Sequence, residues 1–367
     1  MLETIRKDRF GLDSNDLHQE GYIILRKKAF TTTNKFLSQV LVTDDRLKIN
    51  SECDVIFDKE VASSIDDGDI GFISSNGSLR IALSHKANHN TILVTERCNN
   101  RCLFCSQPPK EENDDWLFIQ GAFAIAAFQS SDTIGITGGE PLLYGDKILN
   151  LIDFTSTHTP DTKLHILTNG RGFSDVNFSN EIADRTNNND IIFGVPLYST
   201  NPEIHDKLVG CKGAYNETVL GIINAGNLGV PIELRIIPNK INIGCIESIV
   251  EYTMRCFSSI SQISIMNLEP TGWAKHNWES LYLEPSSYLD VLTRSVSIAE
   301  NCGVHVSLFN YPLCHISSEL RPYAVKSISD WKNYYPNYCS SCSQRDLCTG
   351  YFASSIGKYH HPPEELL

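Results

Sequence analysis

Residues 91–105 read Thr91-Ile92-Leu93-Val94-Thr95-Glu96-Arg97-Cys98-Asn99-Asn100-Arg101-Cys102-Leu103-Phe104-Cys105, an apolar run that leads straight into three cysteines. Thr91–Thr95 is short, apolar and β-branched, the composition of a buried strand. The loop after it is CxxxCxxC. Thiolates are the soft ligands that iron–sulfur clusters require, and one short loop can wrap three of them around a cube face. Three ligands for four irons leave one iron open to a substrate or cofactor. Zinc is the competing reading. It takes two close pairs of ligands, or three with a nearby His; no His lies between positions 90 and 157, although a distant one could fold in.

Working outward, apolar strands alternate with helical stretches. Strands are expected at Thr133–Thr137, Lys163–Thr168, Ile191–Leu197, Ile232–Ile237 and Gln262–Met266, and helices at Trp116–Ser130, Lys147–Ser156, Val176–Asn187, Tyr215–Leu228 and Cys245–Phe257. Parallel strands need helical crossovers, so this rhythm implies βαβ units and an α/β fold, either an open sheet or a partial barrel. Such folds place their sites at the carboxyl ends of the strands. Upstream, residues 1–88 lack helical periodicity. Short runs at Tyr22–Leu25, Phe36–Val42 and Gly71–Ile73 are separated by turns such as Asp66-Asp67-Gly68-Asp69 and Asn76-Gly77, the latter a hairpin signal. A small, mostly β domain is expected there. After Pro285 one further helix runs to about Asn301, and a cysteine-bearing tail continues to Leu367.

The chain has 367 residues, enough for one large α/β domain with a smaller appendage. Its net charge of −13 with no Lys/Arg run argues against broad nucleic-acid contact. No apolar stretch approaches the roughly 18 residues that span a bilayer, and the first 16 residues are charged rather than signal-like. The expectation is a cytoplasmic protein with no membrane or nucleic-acid partner. In a reducing compartment, 12 cysteines point to metal or redox chemistry before disulfides. Three crowd positions 98–105 and four fall between 314 and 348; Cys53, Cys211, Cys245, Cys256 and Cys302 are scattered and are expected to be buried small hydrophobes.

CxxxCxxC at the end of the first strand of a β/α array resembles the signature of the radical S-adenosylmethionine (SAM) superfamily. That resemblance implies a partial (β/α)6 barrel. It also implies a [4Fe–4S] cluster on Cys98, Cys102 and Cys105, with SAM bound at the open iron and cleaved reductively to a 5′-deoxyadenosyl radical. The second strand ends Gly138-Gly139-Glu140-Pro141. Alone this is a turn, though glycines let backbone approach a ligand closely; in this position it is similar to the family's GGE motif, which receives the SAM amine. Thr168-Asn169-Gly170 is a turn signal that, in peptide-modifying members, sits near SAM. By the same resemblance Ser199 lies near the methionyl or ribose group. Arg235 meets the SAM carboxylate, with a salt bridge across the barrel top as its alternative. Leu268, within Asn267–Gly272, borders the adenine. His205 and Asp206 are expected to order a loop.

The tail carries Cys339-Ser340-Ser341-Cys342 and then Cys348, with Cys314 upstream. Four thiolates suffice for a cluster or for structural zinc, and the spacing leaves both open. CX2CX5C after such a barrel resembles the SPASM and twitch extensions, which implies one auxiliary [4Fe–4S] cluster, with Cys302 as a spare ligand. Phe352 stands where a full pattern has its next Cys. The string Cys105-Ser106-Gln107-Pro108-Pro109-Lys110, with the β-rich leader, resembles the HxsC maturases of the His-Xaa-Ser peptide-modification system. That implies a peptide or small protein substrate with His-Xaa-Ser repeats, a partner radical SAM protein (HxsB), and an electron donor such as flavodoxin or ferredoxin. On this reading residues 1–88 form the β-rich domain, 89–284 the barrel and 285–367 the auxiliary-cluster region. The rivals are a twitch-type dehydrogenase or other radical SAM enzyme on a small molecule, and, from another class, a zinc-stabilised binding protein without catalysis.

Overall fold

A helix that is apolar on every side must be covered on every side. Helix α1 (Trp116–Phe128, WLFIQGAFAIAAF) is such a helix, and its coverings organise the first half of the protein. The computed structural model describes residues 21–28, 34–42, 46–48, 54–56, 63, 65–73, 79–328, 332–357 and 366. The chain forms two compact units. The first comprises Met1–Arg97, Glu111–Ile166 and Arg185–Ile191; the second comprises Cys98–Lys110, Leu167–Asp184 and Ile192–Leu367.

In the first unit, β1 (Gly21–Arg26), β2 (Gln39–Val42), β3 (Arg46–Lys48), β4 (Asp54–Ile56), β5 (Ile70–Ile73) and β6 (Leu79–Leu83) form one sheet. Its order is β4-β3-β2-β1-β5-β6, so the expected β-rich leader is present. The Asn76-Gly77 pair lies outside the described residues, but its flanks pair antiparallel with Ile73 opposite Leu79, as the hairpin signal requires. Strands β7 (Asn90–Thr95), β8 (Thr133–Gly138) and β9 (Lys163–Leu167) follow and pair in parallel through Thr91↔Gly135 and Ile134↔Leu164. Helix α1 crosses from β7 to β8, and α2 (Gly145–His158) from β8 to β9.

Both sheets press on α1. Gly121 leaves room for Ile92 of β7, whose methyl would sit 2.8 Å from a Cβ built there. On the leader side, the Tyr22 N–H donates to Gln120 Oε1 at 3.0 Å, so the amide oxygen of this helix side chain has a partner. Phe123 closes the remaining face, with ring centroids 6.1 Å from Phe36 and 5.5 Å from Phe154 of α2.

The second unit repeats the βα pattern. It holds most of α3 (Val176–Thr186) and of β10 (Ile191–Pro196), and α4 (Pro202–Val209), α5 (Ala214–Asn227), β11 (Ile232–Ile236), α6 (Ile246–Cys256) and β12 (Ile260–Met266). Two short helices, α7 (Gly272–His276) and α8 (Trp278–Leu281), precede α9 (Leu289–Asn301). Two strands beyond the predicted set then extend the parallel sheet: β13 (His305–Phe309) pairs with β12, and β14 (Ala324–Val325) with β13. A two-stranded ribbon, β15 (Asn333–Tyr334) and β16 (Tyr351–Phe352), closes the tail. Period-two alternation places Ile232, Leu234 and Ile236 of β11 on the buried apolar face, with Ile263 and Ile265 of β12 and Val306 and Leu308 of β13. Helices α5 and α9 cover β11 and β13, and α6 packs on α9; α6 buries Ile246, Ile249, Val250 and Thr253, the spacing of one helical face. The fold is α/β on parallel strands. No helix among the described residues is long and apolar enough to cross a membrane.

Because Phe123 is 1% exposed and packs against both Phe36 and Phe154, Phe123→Ala is expected to lower unfolding free energy by about 3–5 kcal/mol. Urea unfolding monitored by circular dichroism measures this; a loss under 1 kcal/mol would mean the leader does not cover α1 as described.

Candidate functional site

In the first unit, the end of β7 is locked from the side. Asp114 is buried and accepts from the Thr95 hydroxyl at 2.9 Å and from the Glu96 N–H. The 138–140 turn then runs along it: the Gly139 N–H donates to Thr95 C=O at 2.8 Å and the Glu140 N–H to Arg97 C=O at 2.9 Å. Any Cβ on Gly138 would collide with the Thr95 carbonyl oxygen, so this close approach demands glycine. Glu140 is 1% exposed, and its Oε1 accepts from the Leu142 N–H at 2.9 Å, capping the turn Pro141–Leu143. Its carboxylate is therefore engaged in shaping the motif.

In the second unit, residues 98–110 hold the three cysteines, all partly buried. The loop has no regular structure of its own, so its backbone groups need partners elsewhere. Helix α4 supplies one side. The Arg101 N–H donates to Val209 C=O at 2.8 Å and the Leu103 N–H to Leu208 C=O at 2.9 Å. Gly210 ends α4 in the left-handed region (φ 64°), where a side chain would strike the Arg101 carbonyl. The other side is the α7–α8 segment. The Trp273 N–H donates to Cys105 C=O at 2.8 Å and Asn277 Nδ2 to Leu103 C=O at 2.8 Å. Gly272 (φ 50°) leaves space for the Cys105 and Ser106 carbonyls. The sulfurs also have polar neighbours: Cys98 Sγ accepts from the Asn100 N–H at 3.3 Å, and Cys105 Sγ donates to Gln107 C=O at 2.9 Å. Burial pushes the Cys105 thiol above its usual range, offset in part by the Gln107 bond. Three partly buried thiols on one fixed loop suit an iron–sulfur cluster in donor chemistry.

The other predicted residues of this unit fall as follows. Thr168 is buried, and its hydroxyl accepts from the Gly170 N–H at 3.0 Å. Asn169 Nδ2 donates to Asn99 Oδ1 of the cysteine loop at 2.7 Å. Ser199 is fully buried, its Oγ accepting from the Asn201 N–H at 2.9 Å at the start of α4. Arg235 lies 3.4 Å from Glu233 on its own strand and 3.0 Å from Met266 Sδ. Leu268 packs in an apolar cluster with Phe104, Tyr198 and Leu208. His205 and Asp206 do order a loop: Asp206 accepts from the Gly213 N–H at 2.5 Å and the Tyr215 N–H at 2.8 Å, while His205 Nδ1 accepts from the Tyr198 N–H at 3.3 Å.

The tail cysteines also converge. Cys314, Cys339, Cys342 and Cys348 all line one small, partly open cavity, with Tyr335, Arg345 and Tyr351 in its wall. Burial and the neighbouring thiols push Cys339 up to about 11, as four sulfurs in one place resist sharing negative charge without a cation. Tyr351 Oη sits 3.5 Å from Cys314 Sγ and 2.9 Å from His315 Nε2. Cys348 Sγ accepts from the Leu313 and Gly350 N–H groups, both at 3.4 Å. Among the described residues, no three His, Cys, Asp or Glu side chains close on a single ion. Four thiols around one space offer the donor set of a thiolate-bound metal centre, an iron–sulfur cluster or zinc.

Two expectations are corrected. Cys256 and Cys302 are exposed rather than buried, because they sit at the last residue of α6 and just past α9, where the chain turns at the surface. Cys302 is also not among the residues lining the tail cavity. Cys211 and Cys245 are only partly buried, and Cys53 lies outside the described residues. Helix α4 was absent from the predicted elements although its signals are present: Asn201 caps it, Pro202 opens it and Gly210 ends it. Arg171 carries no local signal in the sequence.

Residues 92–252 match the family described as the radical SAM superfamily. A probable GTP 3′,8-cyclase from Pyrobaculum aerophilum is 26% identical over 271 residues, covering 70% of this chain and 79% of that protein. A PqqA peptide cyclase from Rhizobium meliloti is 26% identical over 226 residues, 59% of this chain and 56% of its own length. Among solved structures, Streptococcus suis SuiB overlaps 59% of this chain and 48% of its own, with 18% identity and a TM-score of 0.45.

Burial lowers the His205 pKa to about 4, with Asp206 opposing, against about 6.5 in an unfolded chain. Between those values the unfolded state binds more protons. Stability is therefore complete above about pH 6.5 and falls by about 3 kcal/mol as pH drops to 4. Denaturant midpoints across pH 4–7 should decline less steeply in His205→Gln than in the unaltered protein. Parallel curves would remove His205 as the cause.

Proposed function

We propose, from the match of residues 92–252 to the radical SAM superfamily, that this chain is an iron–sulfur, SAM-dependent enzyme that modifies a peptide or small protein. The observation that carries the reading is the pairing of a clamped three-thiol loop with a four-thiol cavity further along the chain. Cys98, Cys102 and Cys105 would hold the SAM-binding [4Fe–4S] cluster, and Cys314, Cys339, Cys342 and Cys348 an auxiliary one. When bound, the first cluster and SAM supply one-electron cleavage of a sulfonium C–S bond and, with it, hydrogen abstraction from an unactivated C–H bond.

The protein's own task is to bind, orient and exclude water. The backbone at Gly138, Gly139 and Glu140 would receive the SAM amine. Thr168, Asn169 and Ser199 would line the methionyl and ribose part, with Arg235 at the carboxylate and Leu268 at the adenine. Several of these polar side chains already hold their own turns, so we assign their contribution mainly to backbone groups that those turns hold in place. A peptide substrate is supported by the relative named PqqA peptide cyclase and by the Cys105–Lys110 string. The His-Xaa-Ser maturase reading, with an HxsB partner and a flavodoxin- or ferredoxin-type reductant, is the finer form of this proposal. A small-molecule substrate is the second reading, favoured by the relative named as a probable GTP 3′,8-cyclase.

Anaerobically reconstituted protein, given SAM and a reductant, is expected to form 5′-deoxyadenosine. Cys102→Ala should reduce that yield to background while keeping the iron of the tail cysteines. Undiminished yield from the variant would defeat the assignment. Run with His-Xaa-Ser peptides or with GTP, mass analysis of each candidate decides between the two substrate classes.

A further inference from the structure

Backbone hydrogen bonds from α4 and the α7–α8 segment grip residues 101–105 of the cysteine loop. The Asn99–Asn100 stretch, which fills the longer spacer between Cys98 and Cys102, is held instead by side chains. Arg171 Nη1 donates to Asn99 C=O at 2.8 Å and to Asn100 Oδ1 at 2.7 Å. Asn169 adds its bond to Asn99 Oδ1. Arg171 is itself anchored: its Nε donates to Glu217 Oε2 of α5 at 2.6 Å, and its Nη1 lies 3.4 Å from Cys211 Sγ. Its side chain is 13% exposed. Burial works against its charge, but Glu217 and Cys211 together outweigh that and its pKa is raised.

The consequence lies one bond further on. Asn100 is 3% exposed, and its N–H points at Cys98 Sγ at 3.3 Å. We propose that Arg171 is a positioning residue that sets the reduction potential of the SAM-binding cluster, by fixing the Asn100 amide against the Cys98 sulfur. Hydrogen bonds to cluster sulfurs withdraw charge and raise the potential, and partners behind the ligands orient them. A guanidinium suits this task because its planar fork reaches a carbonyl, an amide oxygen and a carboxylate together; a lysine ammonium reaches a point. The inference rests on Cys98, Cys102 and Cys105 being cluster ligands.

The test is a redox titration of the SAM-binding cluster by electron paramagnetic resonance, in the unaltered full chain and in Arg171→Ala and Arg171→Lys. Both variants are expected to shift the potential negative, because each loses the fork although lysine keeps the charge. Iron at the tail cysteines should stay at its original stoichiometry, which also shows that the variants fold. A potential unchanged in Arg171→Ala overturns the proposal. A potential restored by Arg171→Lys also overturns it, because charge alone would then account for the shift. If either variant fails to fold, Asn100→Gly, which frees the same amide, must give the negative shift, and its absence counts against the role. Failure of the underlying ligand assignment is distinct: the unaltered protein would then show no cluster that responds to SAM.

Discussion

The loop of residues 98–105, with three cysteines in eight residues, forms neither helix nor strand, so its own amides and carbonyls go unpaired unless other elements supply partners. Residues 98–105 meet this constraint through the C-terminal turn of α4 on one side and α7–α8 on the other. Much of the second unit follows from it. Helix α4 must end where Val209 and Leu208 can accept, Gly210 must be left-handed so that Arg101 fits, and Gly272 must lack a side chain so that Cys105 fits. The apolar cluster around Phe104, Tyr198, Leu208 and Leu268 then fixes these pieces to one another. His205 joins the same arrangement by accepting the Tyr198 amide, which is why a buried neutral imidazole is tolerated there.

The tail solves a related problem differently. Its four cysteines come from two separated stretches, and β13, the short helix-like turn at Leu313–His315 and the β15–β16 ribbon bring them to one cavity. Tyr351 occupies the ribbon beside Cys314, while Phe352 next to it is buried apolar surface. Phe352 thus packs at the position where a full SPASM-like pattern expects a further cysteine.

Where chemistry depends on near neighbours in the chain, it was legible. CxxxCxxC, the 138–140 turn and the CX2CX5C spacing are local patterns, and the βα rhythm fixed strand positions to within two residues. The leader read as β because its apolar runs were short and broken by turns. What lay hidden were contacts between distant residues: Arg171 reaches Asn100 across 71 positions, and Asn277 reaches Leu103 across 174. No periodicity encodes such pairs. Strand β13 was missed because a single apolar run after Gly303 resembles any buried segment until β12 is there to pair with it. The scattered cysteines misled because residue type predicts burial only on average, and helix ends lie at the surface.

At the centre is the claim that Cys98, Cys102 and Cys105 leave one iron for SAM. Electron–nuclear double resonance on the reduced protein, with SAM carrying ¹⁵N at its amine, probes this directly. A hyperfine coupling from that nitrogen, lost in Cys98→Ala, is the result expected. A reduced cluster with no coupling to labelled SAM would contradict the account.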